Sequence, residues 1–492
     1  MKNRWYVDWI VPLLISFVIV TIFSFTTSFL YSYPLMRDSA VFQLIGKNWT
    51  EGKIPYRDLW ELKGPAVFLP SAIGYWLTES RLGLYIYQIL NMTAAFYFIQ
   101  KIYLLEFDRK CTVLLSCLTA SYFVVVYGAG GNTVEEYLLP LLTCSFYCLY
   151  KYVNSSFSKG HYELSAGYAF LFGAVLGYSL MSRLTNAVSI CTAVAIIWTI
   201  QIFYRKWSGF LQSIFSFTTG FLFIILPFMT YFWIKDSLSE MWYGTFLYGL
   251  EYAGNSGFEV LSFFGLKHIA LKFTNCYFLI ITSILILKYN PHRKMIGLFW
   301  FVISIVTTLM FLRLNSFGHY YIITLPFTAI VFVEIHKIWQ INKARWVRNY
   351  SLIVISVYAV LGIAGAINSA WNYITKFHDY RNREMVTYDR IVARLPSDFR
   401  KSFIAYNCDA EFYLYYNIPP CYPYYAGQSL IMSYGPSIRK KIQDCFCEGD
   451  AHWLVIHGQP KNSWLKKLIA SNYEYRFSEA NDGERYSVYE RK

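Results

Sequence analysis

The chain has 492 residues, of which 56% are hydrophobic, 20% aromatic and only 15% charged, against roughly 25% charged in a soluble globular protein. Several apolar runs reach the roughly 18 residues a helix needs to cross a bilayer, which excludes a soluble globular domain and defines a polytopic membrane protein. The formal net charge of +14 does not point to nucleic acid, because excess Lys and Arg in a membrane chain mark its cytoplasmic loops.

In chain order, residues 9–31 form the first expected span, preceded by Lys2 and Arg4. This run is too long for a cleavable signal peptide, and no small-residue cleavage site follows it. A first loop, residues 32–80, carries Met36-Arg37-Asp38-Ser39-Ala40-Val41-Phe42 and later Pro55-Tyr56-Arg57-Asp58-Leu59-Trp60-Glu61-Leu62-Lys63-Gly64-Pro65. Asp38-Ser39 precedes the periodic run Val41–Trp49, which predicts a helix. Pro65–Thr78 is apolar but only about fourteen residues long, with two prolines, and suits an interfacial or re-entrant helix better than a span. Further spans are expected at about 82–104, 112–128, 134–152, 164–181, 184–204, 208–234, 269–287, 295–314, 318–336 and 349–370, about eleven in all.

Loop charge sets the orientation. If 65–78 does not cross, alternate loops carry Arg109/Lys110, Lys151/Lys159, Arg205/Lys206, Lys288/Arg293/Lys294 and Lys337/Lys343/Arg345/Arg348 on the amino-terminal side. The opposite loops, 129–136 and 182–186, hold Glu135, Glu136 and a single base, Arg183. This positive-inside pattern puts the amino terminus in the cytoplasm and everything after residue 370 outside it. The chain therefore reads as a transmembrane domain, 1–370, followed by a soluble domain, 371–492.

That tail loses the long apolar runs. Phe403–Tyr406 and His452–His457 predict strands, and Pro436–Asp444 and Trp464–Ser471 predict short helices, giving a small α+β domain. Its four cysteines would face an oxidising compartment, so Cys408 and Cys421 are either bridged or free. Cys445-Phe446-Cys447 has the wrong spacing for a zinc knuckle, and no CxxC pair is present.

The same parity gathers distant polar residues on one face of the membrane. They are Asp38, Asp58, Glu61 and Lys63 in the first loop, Asn132, Glu135 and Glu136, then Arg183 and Asn186, and finally Arg313, Asn315, His319, Tyr320 and Tyr321. Ionisable side chains at membrane depth are costly and point to function.

Asp38 in its loop resembles the acid of the first extracytoplasmic loop in the polyprenyl-phosphate-sugar-dependent glycosyltransferases of the GT-C superfamily, particularly family 39. Gly131-Asn-Thr-Val-Glu-Glu-Tyr-Leu-Leu-Pro140, Arg183-Leu-Thr-Asn186 and Phe317-Gly-His-Tyr-Tyr321 are similar, in order and on the same side, to segments of its bacterial members. In family 39 a second acid often follows the first directly, whereas Ser39 follows Asp38 here, so the partner acid is Glu135, Glu136 or another.

The resemblance implies an all-α GT-C membrane domain in the bacterial cytoplasmic membrane, moving a sugar from a polyprenyl-phosphate donor to a glycan, lipid or protein acceptor with inversion. It makes Asp38 the catalytic base for the acceptor hydroxyl. Lys63, Arg183, Arg313 and His319 supply positive charge for the phosphate, with Glu135, Glu136 and Tyr320 completing the substrate site. No cofactor is required; a divalent metal on His319, Glu135 and Glu136 is the weaker alternative. Aromatic residues of the 235–268 loop, Trp242, Tyr243, Tyr248 and Tyr252, are candidates for stacking on sugar rings. Rival functions are a flippase for lipid-linked sugars and a polysaccharide polymerase or ligase. The former predicts an internal repeat and mid-span charges. The latter places Arg and His in a large late loop, whereas here the acid comes first.

Overall fold

The computed structural model describes residues 5–31, 37–127, 130–249, 251, 274–312, 317–372, 378–481 and 483–492. They divide into two compact units, one of Met1–Ser24, Tyr85–Met229 and Phe258–Ala370, the other of Phe25–Leu84, Thr230–Gly257 and Trp371–Lys492.

Each expected span has its helix: Trp5–Phe23, Arg81–Tyr103, Arg109–Val126, Val134–Ser155, Ala166–Leu180, Val188–Phe203, Trp207–Ile234, Thr274–Tyr289, Lys294–Leu312, Leu325–Ile341 and Arg345–Asn372. Among the described residues, 7 helices are long and apolar enough to cross a membrane, counting the 3-10 turns that lead into two of them. Asp8–Phe23, Ala166–Leu180 and Thr274–Tyr289 are apolar but shorter. Val134–Ser155 has 22 residues and opens on two glutamates. The first helix stops at Phe23, short of the expected residue 31, because Ser24, Thr26, Thr27 and Ser28 offer side-chain hydroxyls that compete for backbone groups.

The core of the first unit is aromatic, with Phe96, Phe123, Tyr127, Phe146, Trp300, Phe327 and Tyr358 in one buried cluster. Helix Gly318–Ile341 is 83% buried and therefore central, whereas Arg345–Trp371 is 17% buried and presents apolar flanks suited to lipid. Asn275 fixes the entry to the central helix, donating to the Thr324 carbonyl at 3.1 Å while Thr328 and Tyr358 donate to its own oxygen at 3.0 and 2.7 Å. Helices Ala166–Leu180 and Trp207–Ile234 touch through reciprocal glycines. A Cβ on Gly173 would lie 1.8 Å from the Phe217 carbonyl oxygen, and one on Gly220 1.9 Å from that of Phe170. Only glycine permits such backbone contact between helices.

In the second unit, helix Arg37–Thr50 covers the run read as helical. The 3-10 turn Pro65–Val67 leads into helix Leu69–Thr78, whose 10 residues make about 15 Å at the rise of an α-helix, half the thickness of a bilayer core. The tail forms a four-stranded sheet of β1 (Phe403–Tyr406), β2 (Trp453–His457), β3 (Tyr473–Asn481) and β4 (Glu484–Arg491) in the order β1-β2-β4-β3. β1 and β2 pair in parallel and the other neighbours antiparallel. Helices Pro436–Glu448 and Ser463–Asn472 stand where the sequence indicates, joined by His378–Arg394, Ala410–Tyr415 and Gln428–Tyr434.

The tail is tied to the first loop. The Trp60 amide donates to the Pro423 carbonyl at 2.9 Å, and the Trp60 ring meets Tyr424 and Tyr248. The compact unit containing residues 371–492 thus also takes in 25–84 and 230–257. Cys408 and Cys421 are both free. Cys421 accepts from the Phe403 amide at the start of β1, while Cys408 follows its end, and an extended strand holds those ends apart at about 3.3 Å per residue.

Candidate active site

The expected site residues fall in both units. In the first, Val134–Ser155 begins with adjacent glutamates that helical geometry points in different directions. Glu136 turns back to its own cap. Its wholly buried carboxylate accepts from the Asn132 amide at 2.8 Å, the Tyr127 hydroxyl at 3.1 Å, the Gln88 amide at 3.1 Å and, more weakly, the Thr133 amide at 3.4 Å. Glu136 therefore holds the turn from 130 to 134, where Asn132 adopts a left-handed φ of 55°.

Glu135, also wholly buried, accepts from Arg183 at 3.0 Å. Arg183 follows helix Ala166–Leu180 in extended conformation and opens the 3-10 turn Leu184–Ala187. Its guanidinium carbon stands 3.4 Å from the centre of the Tyr320 ring. Tyr320 lies in the 3-10 turn Gly318–Thr324 that Asn275 anchors, and its ring meets His319 edge-on at 4.7 Å while His319 stacks on Phe317 at 5.9 Å. Four of the expected residues, Glu135, Arg183, Tyr320 and His319, are thereby one contiguous group.

Glu135 is turned to Arg183 and Glu136 to the helix cap, and no metal-holding cluster of three or more His, Cys, Asp or Glu occurs among the described residues.

In the second unit, Asp38 sits exposed in the first turn of Arg37–Thr50. The loop after that helix is rigidly built. Asp58 accepts from the Ile54 amide at 2.7 Å and pairs with Arg57 at 3.1 Å; these bonds outweigh its burial and hold its carboxyl below the ordinary range. Tyr56, at a left-handed φ of 69°, donates to the Lys63 carbonyl at 2.6 Å and fixes the backbone that carries Lys63. Between them lies Glu61, which accepts from the Leu62 amide at 2.9 Å. Burial pushes its carboxyl up, the Lys63 ammonium opposes this, and the Asp38 charge adds to it. The Asp38 charge thus contributes to the shift behind burial and Lys63. The sequence placed Glu61 in the polar set but offered no sign of that relationship. The Tyr425 hydroxyl, pushed up by burial and then by Glu61, lies close by.

Arg313 and Asn315 lie outside the described residues, as does Tyr252. Tyr248 does not offer a ring for stacking. It is wholly buried, its hydroxyl donates to the Ile431 carbonyl at 3.0 Å, and its ring packs against Trp60.

No protein-family profile matches the sequence, and no curated protein matches it significantly. Solved structures do match. The fold is ArnT-like. It is similar to ArnT from Cupriavidus metallidurans bound to undecaprenyl phosphate, with a TM-score of 0.59 at 12% identity over 99% of this chain and 98% of that one. The apo form of the same ArnT gives 0.60 at 11% identity, over 99% and 97%. The archaeal oligosaccharyltransferase AglB from Archaeoglobus fulgidus gives 0.46 at 12%, over 99% of this chain and 74% of that one.

Proposed function

We propose that this chain is an integral-membrane glycosyltransferase that moves a sugar from a polyprenyl-phosphate carrier to an extracytoplasmic acceptor. The observation that carries the reading is the ArnT-like fold, which extends over 99% of the chain and includes the tail. That ArnT was solved with undecaprenyl phosphate bound supports a polyprenyl phosphate as the carrier here.

In this reading Asp38 accepts the proton of the acceptor hydroxyl. The acceptor oxygen attacks the anomeric carbon while the bond from that carbon to the phosphate oxygen breaks, so the configuration inverts and the polyprenyl phosphate departs. The negative charge that grows on the departing phosphate is met by Arg183, Lys63, His319 and Arg313. Arg183 offers a fork matched to phosphate oxygens and Lys63 a point charge. Glu61 stands near Asp38 and Lys63, and Glu136 keeps the turn that carries Glu135. Residues 371–492 form an extracytoplasmic domain together with the first loop, the amino terminus is cytoplasmic, and the membrane is the bacterial inner membrane.

The test is deletion in the native host, with mass spectrometry of surface glycans and lipid-linked sugars. The reading expects one surface sugar to disappear and its polyprenyl-phosphate form to accumulate. Unchanged glycans with no accumulated lipid-linked sugar would contradict it.

A further inference from the structure

Among the described residues of the first unit are two Arg–Glu pairs with buried carboxylates, built differently. In Arg293–Glu334 both terminal guanidinium nitrogens and both carboxylate oxygens are engaged. The arginine donates at 2.6 and 2.9 Å to the two carboxylate oxygens and also to Asn154, and the Tyr150 hydroxyl donates to the carboxylate at 2.7 Å. Such closure is what a structural ion pair needs, because any charge left unmatched in the interior is penalised.

Arg183–Glu135 is left open. A single N–H of Arg183 donates to Glu135 at 3.0 Å, and its other N–H groups have no hydrogen-bond partner among the described residues. Glu135 Oε2 is buried and also without a partner among them. Asn186 lies in the 3-10 turn that begins after Arg183, with its amide bonded to the Arg183 carbonyl at 3.1 Å, and its buried side-chain Nδ2 is likewise uncommitted among the described residues. The Arg183 side chain is 21% exposed, whereas the side chain of Glu135 is 0% exposed.

We infer that Glu135 and Tyr320 are positioning residues that clamp Arg183, so that the open edge of its guanidinium is held ready for the phosphate oxygens of a lipid-linked substrate. The inference rests on the phosphate-binding role proposed above for Arg183. The carboxylate fixes the guanidinium at one N–H and the Tyr320 ring, 3.4 Å below, fixes its plane. The long side chain is thus ordered before the ligand arrives, which removes part of the entropic cost of binding. Glu135 also offsets much of the arginine's charge. Recognition then depends on the direction of the N–H groups more than on bare attraction, and a polyprenyl phosphate left after transfer is held without being trapped.

The probe is undecaprenyl phosphate, binding to the purified full chain in lipid nanodiscs, with thermal melting of each variant as a folding control. Arg183→Ala should raise Kd at least tenfold, as expected for a lost charge-assisted contact. Glu135→Ala and Tyr320→Leu should each raise it by about fivefold, the effect of freeing one long side chain. Glu135→Gln keeps an acceptor oxygen and Tyr320→Phe keeps the ring, so each should recover most of that loss. A structural role alone would lower the melting temperature and leave Kd of the folded fraction in place. If Glu135→Ala does not fold, Tyr320→Leu against Tyr320→Phe decides the question. Normal Kd in Glu135→Ala and Tyr320→Leu beside a weakened Arg183→Ala would overturn the clamp and leave the phosphate role of Arg183 standing. Normal Kd in Arg183→Ala would overturn both.

Discussion

Arg293 donates from both ends of its guanidinium to the Glu334 carboxylate, at 2.6 and 2.9 Å, where the Glu334 side chain is wholly buried. The pair joins the start of helix Lys294–Leu312 to the central helix Leu325–Ile341, and the Tyr150 hydroxyl brings in a third. Lys337 extends the group to Glu106 at 2.8 Å.

Removing one partner alone should therefore be severe. Arg293→Met strands a buried carboxylate, and stability should fall by about 3–5 kcal/mol. The double variant Arg293→Met/Glu334→Leu should regain most of the loss, since the stranded charge is gone. Unfolding in mixed micelles measures both, and a double variant no better than the single one would refute this account of the pair.

Loop topology is a second expectation. Residue 130 and the tail beyond 371 should face outward, and loops 105–111 and 337–348 should face the cytoplasm. Residues 60 and 80 should be on the same side, because the helix between them has only 10 residues. Cysteine labelling from each side reads this out, and opposite labelling of 60 and 80 would refute it.

Glu61 gives a pH dependence. Burial first, and then Asp38, raise its carboxyl above the ordinary 4.5 in the folded protein, against the pull of Lys63. A raised folded value means that the stability linked to its proton is fully present below the unfolded pKa and is lost as pH rises through the folded one. Glu61→Gln carries no such proton. Its melting temperature relative to wild type should rise as pH is taken upward from about 4.3. A difference that stays constant or falls over that range would contradict the assignment.

Much of the fold was legible because burial writes itself into composition. The spans announce themselves as apolar runs, and β1 and β2 as short, largely apolar stretches. The β3–β4 hairpin was not legible. In β3 only Tyr473 is buried, and Tyr473–Asn481 is held by its partner strand and by helix His378–Arg394, from which Arg394 reaches over Phe477 and pairs with Glu479 at 2.6 Å. Such contacts have no local signature. The site divides in the same way. The sequence singled out Glu135, Glu136, Arg183 and Tyr320 as polar residues in costly positions. It could not tell that Glu136 closes a cap while its neighbour crosses 48 positions to Arg183, because that difference depends on a helical turn of about 100° and on packing.

The central claim is that Asp38 is the base of a polyprenyl-phosphate-dependent transfer. The most direct test is the turnover of Asp38→Asn, per folded molecule, with a polyprenyl-phosphate sugar, alongside its affinity for undecaprenyl phosphate. Asparagine keeps the shape and loses the proton acceptor. The account predicts a turnover lower by roughly 10²–10⁴-fold, with affinity for the carrier retained, since the phosphate contacts are untouched. If Asp38 served only the first turn of its helix, the change would be about 1 kcal/mol of stability with turnover near normal. A fully active Asp38→Asn enzyme would contradict the claim.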